Sequence, residues 1–92
     1  MIESRLQQKI VTLCKQNSIL TYKINADAQR GIPDLLLIAP CGTVLLFEIK
    51  TQTGRVSALQ ERMHKKMKQN NANVFVIRSV EEAILAIDSV VN

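Results

Sequence analysis

The sequence predicts an α/β fold: a mixed central β-sheet flanked by helices, in the order α-β-β-β-α-β-α. Three observations carry this. Apolar residues recur at helical spacing in three separate stretches, and short apolar runs of strand length lie between them. The last of these runs is joined to its predecessor through a helix rather than a turn. Strands joined that way run parallel through a right-handed crossover, whereas strands joined by a tight turn run antiparallel.

Residues 2–16 place Ile2, Leu6, Ile10 and Leu13 on one helical stripe, widened by Val11 and Cys14, and Asn17-Ser18 supplies a stop. Residues 19–25, ILTYKIN, alternate apolar and polar side chains as a strand with one wet face does. The following ADAQRGIP has no period and reads as a loop. Residues 35–39 and 44–49 are apolar on both faces, the pattern of central strands covered on both sides. Pro40, Cys41, Gly42 and Thr43 separate them. Proline suits the first position of a tight turn and glycine the left-handed one, so the two runs form a hairpin.

After a polar loop over 51–56, a helix is expected over about 57–70. Ser57 and Gln60 form a capping-box pair at its start. Leu59, Met63 and Met67 make a narrow apolar stripe, while Arg62, Lys65, Lys66 and Lys68 crowd the other side. Residues 74–77 are a short β-branched strand. A last helix starts at Ser79, paired with Glu82 in a second capping box, and runs through Ala83, Ile84, Ile87 and Val91. No repeat, low-complexity tract or linker interrupts the chain, so one domain over 1–92 is expected.

Composition narrows the function. Apolar residues at 47% against 22% charged describe a globular rather than a disordered chain. Tyr22, Phe47 and Phe75 are the only aromatics, which argues for an aliphatic core and against gripping single strands by base stacking. The net charge of +4 fits a polyanionic partner, nucleic acid or a membrane surface, and equally a soluble protein that happens to be basic. Cys14 and Cys41 have neither zinc-site nor redox-pair spacing. With no signal peptide and no apolar run of spanning length, a cytoplasmic location with both thiols reduced is expected. A domain of 92 residues buries only about two-thirds of its unfolded surface, so a partner subunit would add stability.

The charges in the hairpin are the informative ones. Glu48 and Lys50 end a run of buried-strand character, and Asp34 opens the partner run. A three-residue loop of Pro40, Cys41 and Gly42 pairs Ala39 with Thr43 and, counting back, Asp34 with Glu48. Lys50 then shares their face. A two-residue loop would put Asp34 on the opposite face. Facing carboxylates repel unless something positive lies between them. Lys50 does this in part and a divalent ion does it better, with hard oxygen ligands selecting Mg2+ or Mn2+. On this geometry alone, a structural Asp–Lys or Glu–Lys bridge is equally compatible.

The complete pattern is Gly31-Ile32-Pro33-Asp34, a strand, a turn, then Glu48-Ile49-Lys50, with Ser57-Ala58-Leu59-Gln60 beyond. It resembles the PD-(D/E)xK nuclease superfamily and, more narrowly, the VRR-NUC (virus-type replication-repair nuclease) family, whose short members are commonly phage-encoded. The likeness runs from about Glu3 to Arg78. It implies a restriction-endonuclease-like core and a DNA endonuclease using one or two Mg2+ or Mn2+ ions per site. Asp34 and Glu48 would bind metal, with the backbone carbonyl of Ile49 a further ligand, and Lys50 would serve the attacking water and transition-state charge. Glu3 in the first helix, as a further catalytic residue and metal ligand, and Gln60 after E-x-K, as a further catalytic residue, complete the family pattern. Family members often carry proline at the position of Ala58, and either residue is tolerated there.

Simpler roles stand beside these. Glu3 is also favourable charge at a helix start, Gln60 is explained by its cap, and His64 is expected to be a lone surface histidine. Arg30, Arg55, Arg62 and Lys65 are candidates for phosphate contact, Arg30 and Arg55 because their loops flank the carboxylates. Lys9, Lys15, Lys23, Lys66 and Lys68 are weaker ones. No base-reading element is present, so structure-dependent rather than sequence-specific cleavage is expected; the likeness to dimeric resolvases of the superfamily further implies a homodimer cutting branched DNA such as a four-way junction. No small-molecule substrate and no membrane association are expected. The competing classes are a non-catalytic nucleic-acid-binding module on a nuclease scaffold and a purely structural interaction domain.

Overall fold

Alternation along the strands decides where the core lies. In the computed structural model, which describes residues 2–25 and 31–91, the elements are α1 (Glu3–Gln16), β1 (Leu20–Lys23), β2 (Leu35–Ile38), β3 (Val44–Ile49), α2 (Ala58–Gln69), β4 (Asn73–Ile77) and α3 (Val80–Val91). The strands form one sheet in the order β1-β2-β3-β4. β1 and β3 flank β2 antiparallel, and β4 runs parallel to β3. The element order and the mixed sheet match the expectation.

Leu35, Leu37, Leu45, Phe47, Ile49 and Ile77 point to one face and are at most 1% exposed. Leu6, Ile10 and Cys14 of α1, with Ala83 and Ala86 of α3, close that face. Phe47 meets Phe75 edge to face, with centroids 6.2 Å apart. The opposite face differs. Leu36, Ile38 and Leu46 are only half-buried there, and Leu20, Tyr22 and Val44 are exposed. Coverage of the central strands on both sides is therefore corrected to full coverage of one face. An apolar run reveals that a face is apolar, and not whether the same chain covers it.

Local chemistry sets the ends. α1 begins without a side-chain cap, since Ile2 precedes it, and ends where the Asn17 amide donates to the Leu13 carbonyl and Ser18 takes φ 59°. β1 is shorter than the expected 19–25. The hairpin closes as expected: the Ala39 N–H donates to Thr43 O at 2.9 Å, the Gly42 N–H to Ala39 O at 2.8 Å, and Gly42 has φ +89°. Ser57 and Gln60 form the full capping box of α2. At α3 the Ser79 hydroxyl accepts from the Glu82 N–H, but the Glu82 carboxylate accepts from Arg78 N–H rather than from Ser79. The second box is thus displaced by one residue. Cys14 is buried, Cys41 is exposed and both are free thiols; burial pushes the Cys14 thiol up to about 11. No helix among the described residues is long and apolar enough to cross a membrane.

Candidate active site

The β2–β3 register pairs Leu35 with Phe47, and one further step sets Asp34 opposite Glu48. Hydrogen-bonded and non-hydrogen-bonded pairs alternate along an antiparallel ladder. Counted from the bonded Ala39–Thr43 pair, Asp34–Glu48 is a non-hydrogen-bonded pair, the kind whose side chains lie closest. The next position faces Ile49 with Pro33, which has no N–H to offer the Ile49 carbonyl. Asp34 takes over the other half of that pairing: its Oδ2 accepts the Ile49 N–H at 2.7 Å. Proline and aspartate together therefore end the ladder and turn Asp34 towards the tip of β3. Gly31 permits the approach, with φ +91° and no room for a side chain, since a Cβ would lie 2.9 Å from the Leu59 carbonyl oxygen of α2.

Glu48 is only 1% exposed. Its Oε2 lies 4.0 Å from Lys50 Nζ and its Oε1 lies 3.5 Å from His64 Nε2. Burial, followed by the hydrogen-bonded carboxylate and charge of Asp34, raises the Glu48 carboxyl to about 8; Lys50 works against this and Glu3 adds to it. Glu3 itself is exposed on the first turn of α1.

His64 corrects an expectation. It is not a surface histidine but the buried side chain of α2, at 6% exposure. Burial, with Lys68 adding, lowers its pKa while Asp34 opposes, which favours the neutral ring. The signal was present in the sequence: Gln60, Met63, His64 and Met67 follow the spacing of an inward helical arc. Glu48 Oε1 and His64 Nε2 are each buried without a hydrogen-bond partner among the described residues.

The sequence model of the VRR-NUC domain matches residues 2–81. This chain belongs to the VRR-NUC family. A solved structure described as a VRR_NUC domain is similar to it, with a TM-score of 0.85, 28% identity and 96% of each chain covered. No curated protein matches. The family and the shared architecture give this VRR-NUC chain a nuclease-type fold.

Within that fold, Asp34, Glu48 and Lys50 converge at the ends of β2 and β3. No three His, Cys, Asp or Glu side chains among the described residues are grouped to hold a metal ion. A hard cation would therefore have the two carboxylates as its side-chain ligands, with the Ile49 carbonyl and water completing its shell. The donor chemistry fits: a carboxyl held near 8 keeps a proton where a cation would otherwise neutralise it. Gln60 uses its amide oxygen to accept from the Ser57 N–H, the capping role expected of it. Arg55, Arg62 and Lys65 are exposed. Arg30 lies outside the described residues. The sequence reading also missed Arg78, whose Nη1 donates to the Thr51 and Gly54 carbonyls at 2.7 and 2.6 Å and so holds the loop after Lys50.

Proposed function

We propose that this VRR-NUC domain, taken as one domain over residues 1–92, is a divalent-metal-dependent deoxyribonuclease that hydrolyses phosphodiester bonds in branched DNA. The observation that carries this is the buried Glu48 set opposite Asp34, with Lys50 Nζ 4.0 Å from its carboxylate. A structural bridge would leave the second carboxylate as an uncompensated cost. Asp34, Glu48 and the Ile49 carbonyl hold Mg2+ or Mn2+, and Glu3 contributes charge from α1. When bound, the ion supplies charge neutralisation and Lewis acidity at the scissile phosphate. Lys50 orients the attacking water and stabilises charge on the phosphoryl oxygens. Gln60 supports the site through its amide group.

Arg55, Arg62 and Lys65, with Arg30, are proposed to contact phosphates, which positions DNA without reading its sequence. A homodimer is supported by the apolar sheet face left open at Leu20, Tyr22 and Val44, beside the half-buried Leu36 and Leu46. A two-fold partner there would present two sites to two strands. The protein would act inside the cell, in the host cytoplasm for a phage-encoded member.

The test is cleavage of labelled duplex, flap, single-stranded and four-way-junction DNA with Mg2+, Mn2+ or EDTA. Metal-dependent cutting favouring branched substrates supports the proposal. Binding without cutting in every metal condition would leave a nucleic-acid-binding module instead.

A further inference from the structure

Buried polar atoms are almost always hydrogen-bonded, and an orphan costs stability unless it has a task. Here two orphans face each other. Glu48 Oε1 and His64 Nε2 are both buried, both without a hydrogen-bond partner among the described residues, and 3.5 Å apart. That separation is a few tenths of an ångström beyond a hydrogen bond. Glu48 Oε2, by contrast, lies towards Lys50. The two oxygens of one carboxylate therefore face two different groups.

We propose that His64 is a positioning residue for Glu48. Its Nε2–H donates to Oε1, which fixes the carboxylate so that Oε2 is presented to Lys50 and to the cation. This rests on the metal-dependent reading of the site. His64 does not itself touch the substrate. It acts from α2, the helix whose start packs on Gly31, so one helix steadies the approach of Asp34 through Gly31 and the rotamer of Glu48 through His64. Hydrogen-bond partners of this kind, lying behind metal-binding carboxylates, are worth about 10–100-fold in metal affinity.

Calorimetric titration with Mn2+ tests the assignment on the wild type, His64→Leu, His64→Gln and Asp34→Asn, with folding checked by thermal unfolding. Glutamine can place an N–H near the position of imidazole Nε2, and leucine cannot. The expected result is Mn2+ binding weakened about 10–100-fold in His64→Leu and largely restored in His64→Gln. Should His64→Leu not fold, His64→Asn replaces it, because its amide is too short to reach Oε1 and should bind as weakly. A donor-less variant that binds Mn2+ as tightly as the wild type would overturn the positioning role alone. Equal weakening in the glutamine variant would also overturn it, since the loss would then follow packing rather than the donor. A wild type that takes up no Mn2+, indistinguishable from Asp34→Asn, would overturn the metal reading and the positioning role with it.

Discussion

Replacing Glu48 with glutamine should stabilise the metal-free protein at high pH. The Glu48 carboxyl rises from 4.5 to about 8 on folding. Between those values the folded state holds a proton that the unfolded state has released. Stability is therefore full below about pH 4.5, declines as pH rises, and stops declining above about pH 8. Each tenfold is worth about 1.4 kcal/mol, so the whole window has a ceiling of about 5 kcal/mol, and the part between pH 5 and 8 about 4. Against the roughly 5–15 kcal/mol that holds a small domain together, this is a large fraction. Glutamine keeps the shape and never ionises. Urea unfolding in EDTA at pH 5, 7 and 9 should give nearly equal stabilities at pH 5, and a glutamine variant more stable by several kcal/mol at pH 9. Saturating Mn2+ should restore the wild type at pH 9, by about 2.7 kcal/mol at a hundredfold excess over Kd, with little effect on the variant. Parallel pH profiles for the two proteins would refute the reasoning, because Glu48 would then be as well solvated folded as unfolded.

Three further outcomes follow from the same geometry. Lys50→Ala should lower kcat about 10²–10³-fold in a cleavage assay without changing the melting temperature by more than a few degrees, as expected when one charge-stabilising group is removed. Gly31→Ala should cost at least about 1–2 kcal/mol in urea unfolding, because alanine is strained at φ +91° and its Cβ would meet the Leu59 carbonyl. Tyr22→Glu, on the exposed sheet face, should convert the proposed dimer to monomer in sedimentation equilibrium while leaving circular dichroism unchanged.

The hairpin was legible because its information is local. Pro40 and Gly42 specify a three-residue loop, the loop sets the register, and the register sets Asp34 against Glu48 whatever the rest of the chain does. α2 was legible at its start for the same reason, since Ser57 and Gln60 cap it without outside help. His64 lies on the inward arc of Gln60, Met63 and Met67, but the depth of its burial depends on how α2 lies over the sheet, a long-range arrangement that spacing alone does not give. The incomplete cover over Leu36 and Leu46 belongs to the same class: the residues reveal apolarity, and only tertiary structure reveals the open side. Arg78 escaped notice because its partners are backbone carbonyls of Thr51 and Gly54, which carry no side-chain signature. The Glu82 carboxylate reaches Arg78 rather than Ser79 because the backbone ahead of α3 presents that N–H instead, a choice of one residue that spacing alone does not resolve.

The most direct measurement is single-turnover cleavage of a labelled four-way junction by the wild type and by folded Asp34→Asn, each in Mn2+ and in EDTA. Cutting by the wild type in Mn2+ alone, and its loss in Asp34→Asn with junction binding retained, is the predicted result. Equal cutting by both proteins, or cutting that survives EDTA, would contradict a metal site built on Asp34 and Glu48.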